Sequence, residues 1–554
     1  MSFPQDTIKL RSEAMKILRN GGHVEYQVPP DRPWLKFWPE GVPRHLDYPE
    51  MPLFELLSRA AQKWPENIAF SCRERQLTYK ELDELTGKLA AGIRNLGIEA
   101  GDRVMLFLTN SLEFIIGYYG ILKAGGTVTT ANPLYRQVEL RHQLNDTEAK
   151  ALITNRDLYP LVKEVQTETQ LRVVILTDAE ENGAISLGQI LEKYPPTPPT
   201  FTVRPKDDVA VIVYTGGTTG LPKGVLLTHY NLVANAMQNA AWFGWSDKDV
   251  IMGLLPFYHS WGGCTCINSP IYSGARVIIL PRFDAEELLM RVEREKATVI
   301  YGAATMFAAL VNSPVITKYD LSSLRYVKAG AMPIPPEIRE RWERLTGVKM
   351  DLGYGLSEAS PETHNSPLKK IKSGTIGIPV MDTDARIVDE ETGETELPPG
   401  QMGELVIQGP QVMKGYLNRP EDTREALRNG WLYTGDLAMM DEEGYFRILD
   451  RKKETIKYKG YTIAPAEVEA VLYEHPTVKE CAVVGKPDPV VGEVPKAYVV
   501  LNEGFTVDKE ELINFCADRI APYKRIREVE FIEEIPKTPV GKVLRRVLRD
   551  REGC

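Results

Sequence analysis

"VIVYTGGTTGLPKGVLLTHYNL", residues 211–232, joins two apolar runs through a turn made almost wholly of small residues. Val211–Tyr214 closes the run "VAVIVY", which has the length and β-branched content of a buried strand, and "GVLL" opens a second one. Between them stand Thr215, Gly216, Gly217, Thr218, Thr219 and Gly220, then a single cation, Lys223. Small residues let the backbone approach a ligand closely, and consecutive N–H groups hold an anion. Three threonine hydroxyls add further donors for phosphate oxygens. The familiar phosphate loop needs Gly-Lys-Ser/Thr, and here Lys223 lies between Pro222 and Gly224, so a Walker NTPase is excluded. The turn reads as an anion cradle of another kind.

Outward from this stretch, short apolar runs alternate with amphipathic ones. "RVMLFL", "AKALIT", "RVVIL" and "RVIIL" read as buried strands, while "YKELDELTGKLAAGIRNLG" and "AEELLMRVEREKA" carry helical spacing. The alternation predicts an α/β fold with largely parallel, doubly covered sheets. Texture changes near residue 450, where a charged turn leads into "KAYVVL" and "DKEELINFCADRI", a compact α+β module of roughly a hundred residues. The expectation is a large domain over 1–449, its first fifty residues an extended leader packed on the body. A small domain over 450–554 follows, with a hinge near Lys453.

At 554 residues the chain exceeds one compact core, and 43% apolar with 26% charged residues is ordinary globular composition. A formal net charge of −9 argues against a nucleic-acid binder. Six scattered cysteines, with only Cys264 and Cys266 close together as C-x-C, make no zinc site and fit reduced thiols in a cytoplasmic enzyme. The polar N-terminus is no signal peptide, and no stretch is predicted to span a membrane.

The turn resembles the phosphate loop of the acyl-adenylate-forming enzymes, a group of acyl-CoA synthetases, adenylation domains and luciferases, and six further segments resemble theirs in the same order. These are "LPFYHSWG" (255–262), "KAGAMP" (328–333), "LGYGLSEAS" (352–360), "YTGD" (433–436), "DRKKETIKYKG" (450–460) and "PKTPVGKVLRR" (536–546). The likeness is greatest to bacterial fatty-acid–CoA ligases. It implies that a carboxylate attacks the α-phosphate of ATP to give acyl-AMP and pyrophosphate, after which coenzyme A displaces AMP.

Roles follow from the resemblance. Thr215–Gly220 and Lys223 would cradle the β- and γ-phosphates. Glu358, helped by Thr215, would hold Mg²⁺, a hard cation that bridges phosphates. Tyr354 would stack on adenine beside Gly353 and Gly355, with Ala331 in the pocket wall and Ser357 near the α-phosphate. Asp436 would accept the ribose hydroxyls, with Arg451 a second ribose contact. Lys542 would neutralise charge at the reacting carboxylate and phosphate. Rotation at Lys453 would then withdraw Lys542 and present Lys457, Lys459 and Gly460 to coenzyme A, whose nucleotide end would meet Arg282. His259 would gate the acyl tunnel, and Trp261 would line its entrance or pack in the core.

Two positions depart from the pattern. Thr462 replaces the Gln or Arg that relatives often place at the α-phosphate. Leu352 replaces a polar residue of 4-coumarate ligases, which suits an apolar acyl chain. The expected substrate is a medium- to long-chain fatty acid, the alternatives being an aryl or cyclic acid, or a carrier protein loaded in trans. A homodimer is expected by likeness to similar bacterial enzymes.

Overall fold

The computed structural model describes residues 28–552 apart from 216–221, 331–333, 335, 459–460, 489–490, 518, 521 and 538–542, and the backbone alone of 18–20, 23–25, 453, 457, 461 and 462. Two large sheets carry most of the chain up to residue 352. The first has eight strands, in the order Gly415–Tyr416, Lys223–Thr228, Val209–Thr215, Thr127–Thr130, Arg103–Phe107, Ala151–Thr154, Val173–Leu176 and Ile185–Ser186. From Val209–Thr215 onward neighbouring strands run parallel; the edge at Lys223–Thr228 and Gly415–Tyr416 is antiparallel. The second has seven strands, with Met350–Leu352, Tyr326–Gly330 and Val299–Ala303 at one end and Arg75–Thr78 at the other. It is parallel except for that last strand.

Parallel strands need helical crossovers, and these cover both faces. Two such helices are buried almost all round. In Leu112–Lys123 every residue but Glu113 is buried, and in His229–Phe243 every residue but Ala241. A helix this apolar has no solvent face, so it marks the centre of the molecule rather than its rim. Thr228 caps the second helix through its side chain, and Gly244, at φ 60°, ends it. The predicted α/β layering is therefore observed.

The segment after residue 353 was not resolved into elements by sequence reading, and it is antiparallel. A three-stranded sheet holds Tyr354–Gly355, Glu362–Asn365 and Ile378–Pro379. A five-stranded one holds Asp384–Val388, Met402–Gln408, Leu427–Arg428, Trp431–Met440 and Phe446–Arg451. The leader packs on this part from residue 28 onward. Trp34 is buried against Phe446 at 5.8 Å, Arg32 pairs with buried Asp384 at 2.7 Å, and Tyr48 donates to Asp382 at 2.7 Å.

Beyond Arg451 a further five-stranded sheet contains Ile456–Tyr458, Tyr461–Ile463, Val478–Asp488, Gly492–Leu501 and Glu528–Phe531, with its own apolar cluster around Val468, Leu472, Val483 and Leu512. No helix of the described residues is long and apolar enough to cross a membrane.

Candidate functional site

The glycine-rich turn joins Val209–Thr215 to Lys223–Thr228, an antiparallel pair in which Thr215 faces Lys223. Gly216, Gly217, Thr218, Thr219 and Gly220 lie outside the described residues. Lys223 Nζ donates to Asp422 Oδ1 at 2.6 Å and sits 5.3 Å from the centre of the Tyr416 ring. Tyr416 reaches this place because Gly415–Tyr416 adds to the sheet edge beside Val225 and Leu226. Its hydroxyl donates to Glu358 Oε1 at 2.9 Å. Burial, then the charge of Glu358, raises the Tyr416 phenol far above its ordinary range, so it stays a donor.

Glu358 stands on the turn Ser357–Ala359 and is only half-buried. Its backbone carbonyl accepts from the Met413 amide at 2.8 Å, which ties the turn to the approach to Tyr416. Among the described residues no cluster of three His, Cys, Asp or Glu could hold a metal by itself. A lone carboxylate does fit Mg²⁺, which keeps waters and binds through one or two carboxylates plus substrate phosphates. Glu358 and Thr215 are the residues that would hold it.

A second group is centred on Asp436. Trp431–Met440 bulges where Tyr433 and Leu437 oppose Val406 and Glu404, and Gly435, at φ 70°, supplies the left-handed backbone that this needs. The bulge aims Asp436 across the sheet at Arg451, its direct antiparallel partner. Arg451 Nε meets Asp436 Oδ1 at 2.7 Å, and the Tyr354 hydroxyl donates to Oδ2. Arg451 also donates to the Thr434 carbonyl at 3.2 Å. The Asp436 charge above all, with Tyr354 and Glu358 adding, raises the Arg451 guanidinium still further. The two groups therefore share one electrostatic field, with cation and carboxylate alternating along it.

Ser357 is buried, its Oγ 2.9 Å from that of Ser260, so the segments 255–262 and 352–360 touch. His259 caps the short helix Ser260–Gly263, accepting the Trp261 amide on Nδ1 at 3.2 Å. Burial pushes its imidazole down to about 4, which keeps it neutral and able to accept. The expected gate ring is thus committed to a helix cap in this structure. Gly353 has a further steric role. A Cβ there would lie 2.3 Å from Lys328 Cε, so its glycine makes room for a buried lysine. Gly355 is needed against the Pro361 carbonyl, 2.3 Å from where a Cβ would be.

Arg282 is exposed between Arg276–Ile279 and Ala285–Glu295, with no ion pair among the described residues. Ala331, Lys459, Gly460 and Lys542 lie outside the described residues, and Lys453 and Lys457 are described in backbone only. Sequence reasoning missed Tyr416, Asp422 and the carboxylate Glu404, which pairs with Lys452 at 2.8 Å. Nothing in their local pattern marks them; Tyr416 and Glu404 are brought in by strand pairings distant in sequence, and Asp422 by the helix Pro420–Ala426 that follows Tyr416.

Comparison with known proteins accounts for this arrangement. The AMP-binding enzyme family matches residues 57–417, and its C-terminal domain family matches 467–542. A long-chain-fatty-acid–CoA ligase of Bacillus subtilis is 40% identical over 550 residues, covering 94% of this chain and 98% of that protein. 4-Coumarate–CoA ligase 1 of Petroselinum crispum is 36% identical over 521 residues, covering 92% and 95%. The crystal structure of ATP-bound MatB from Rhodopseudomonas palustris superposes with a TM-score of 0.83 at 30% identity, covering 90% of this chain and 99% of that one. The chain belongs to the AMP-binding enzyme family and is an ATP-dependent acid–thiol ligase that forms AMP.

Proposed function

We propose that this ligase activates medium- to long-chain fatty acids as acyl-AMP and passes the acyl group to coenzyme A in the cytoplasm. The observation that carries the adenylation half is the Asp436 carboxylate, held between Tyr354 and Arg451 and within the field of Glu358. A carboxylate with both oxygens fixed has lone pairs left for two ribose hydroxyls, and Tyr354 stands beside it with a ring for the base. Lys223, Thr215 and the turn they flank would bind the β- and γ-phosphates. Lys223 would exchange Asp422 for phosphate oxygens, a small cost for a half-exposed pair.

Mg²⁺ at Glu358 would neutralise phosphate charge. Ser357 and Ser260 offer hydroxyls where the acid meets the α-phosphate, and Lys542 would stabilise the charge that develops there. Domains of 1–449 and 450–554, with rotation near Lys453, would then bring Lys457, Lys459 and Gly460 to the thioester step. Arg282, exposed and without an ion pair among the described residues, would take the nucleotide end of coenzyme A.

The fatty-acid substrate is supported by the relative from Bacillus subtilis and by apolar Leu352 at the head of the adenine segment. An aryl acid is the second reading, favoured by the 4-coumarate ligase of Petroselinum crispum. The test is pyrophosphate release with ATP and Mg²⁺ over straight-chain acids from acetate to oleate, plus benzoate and 4-coumarate, with and without coenzyme A. Turnover highest among medium or long chains, and sustained only with coenzyme A, supports the reading. A maximum on the ring acids selects the second one, and release that coenzyme A does not accelerate points to another acceptor.

A further inference from the structure

Beside the nucleotide groups lies a charged cluster that the adenylation chemistry does not use. Lys328, on Tyr326–Gly330, is buried and donates to Glu362 and to Asn365. Its ammonium lies 5.4 Å from the centre of the Phe243 ring and 5.7 Å from that of Tyr301. Glu362 is also buried; its other oxygen accepts the Trp261 indole N–H at 3.0 Å. The backbone of Glu362 is clamped in turn by Asn235, whose amide donates to its carbonyl at 2.8 Å and accepts its N–H at 3.1 Å.

Burying an ion pair here is costly, and an apolar pair of the same volume would pack as well. Two glycines make space for it. Gly353 accommodates the lysine, and Gly330 accommodates the indole, whose Cη2 would be 2.7 Å from a Cβ at that position. The indole, alone among these groups, is half-buried rather than buried, so it is the face that the cluster presents to open space. It follows Ser260 directly, and Ser260 touches Ser357. An acid whose carboxylate is activated at these serines meets Trp261 with its first carbons.

We propose that the Lys328–Glu362 pair is a positioning device that holds Trp261 against Gly330 as a rigid wall beside the acyl carboxylate. That wall selects unbranched chains over ring and branched acids. The inference rests on the carboxylate-activating function and deepens its substrate class. The Lys328 charge orients Glu362, the second carboxylate oxygen fixes the indole N–H, and Gly330 leaves room where a Cβ would press on the ring. A methylene chain passes along the face of such a ring, whereas a ring attached at C1 or C2 collides with it.

The experiment measures kcat/KM for octanoate, benzoate, cyclohexanecarboxylate and 4-coumarate, with KM for ATP, in the full-length enzyme. Three variants are compared with wild type: Trp261→Ala; the paired change Lys328→Met with Glu362→Leu, which leaves no orphaned charge; and the isosteric Glu362→Gln as a safeguard should the pair fail to fold. Trp261→Ala and the variant that unlocks the ring should each raise the ring-acid to octanoate ratio by about 10-fold or more, the scale of a lost steric contact. The change should fall on KM for the acids and leave KM for ATP unmoved. A rise with Trp261→Ala alone overturns the positioning role of the pair, and an unchanged ratio in folded variants overturns the whole inference. Wild-type preference for ring acids would instead overturn the fatty-acid reading, and the wall with it.

Discussion

The half-exposed pair beside the glycine-rich turn's flank and the buried pair behind Trp261 are both built from charge, but in opposite ways. In the first, Lys223 and Asp422 keep 29% and 31% of their side chains exposed, and their pairing can be exchanged for phosphate. In the second, Lys328 and Glu362 keep 1% and 3%, so neither can leave its partner without stranding a charge. Exposed pairs suit a site that must trade protein contacts for ligand contacts in every turnover. Buried pairs suit a surface that must keep one shape. The difference teaches that the same residue types act as exchangeable contacts at the rim and as fixed geometry in the core.

The sharpest way to break that contrast is to strand one charge on each side. Lys328→Met alone should cost ~3–5 kcal/mol of stability because Glu362 is left buried and unpaired. Asp422→Ala should cost under ~1 kcal/mol, as exposed pairs do. Chemical denaturation of both variants decides it, and similar losses would erase the distinction. Next in size, Lys542→Ala should lower acyl-AMP formation by ~10²–10³-fold, the scale of losing one transition-state charge contact. Thioester formation from supplied acyl-AMP should survive. Half-reactions assayed separately would reveal an equal loss in both, which would remove Lys542 from the adenylation step.

Asp436→Ala should weaken ATP by ~10–100-fold, as expected for losing charge-assisted hydrogen bonds. It also releases Tyr354 and Arg451. Nucleotide titration checks this, and unaltered affinity would place the ribose elsewhere.

A further effect, confined to the pH dependence, concerns Asp351, opposite Lys328 in the sheet. It is fully buried, with Lys328 and Ser366 the groups that favour its charged form. Burial pushes the carboxyl up to about 7 from its ordinary 3.8, against the pull of Lys328. A raised carboxyl keeps its proton in the folded state while the unfolded chain sheds it. Stability is therefore present below about pH 4 and declines as pH rises through 7. Asp351→Asn removes the ionisation and should stabilise by ~2 kcal/mol at pH 8, with much less effect at pH 4. Melting curves at the two values test the sign.

Much of this was legible in the chain. The runs at 103–107, 151–154, 173–176, 209–215 and 276–279 are parallel-type strands because unbroken apolar runs can be buried on both faces. Seven motifs in order pointed to the nucleotide chemistry, and the structure brings Glu358, Tyr354, Asp436 and Arg451 into one field. The antiparallel sheets after residue 353 were less legible. Their strands are short, and the bulge at Thr434–Asp436 breaks the alternation that a period-two reading relies on. The cap that His259 makes was not legible, because a helix-capping imidazole and a gating one have the same local sequence.

By itself, then, the sequence determined the layered α/β body, the anion-binding turn and the family. Those depend on patterns that are local or that recur as contiguous motifs. Only the tertiary structure decided that Tyr416 serves Glu358, that Gly353 makes room for Lys328, and that Trp261 is bonded to Glu362. Each of those contacts joins residues on separate strands and helices. A buried charge can be recognised only once the partner that neutralises it has been brought alongside.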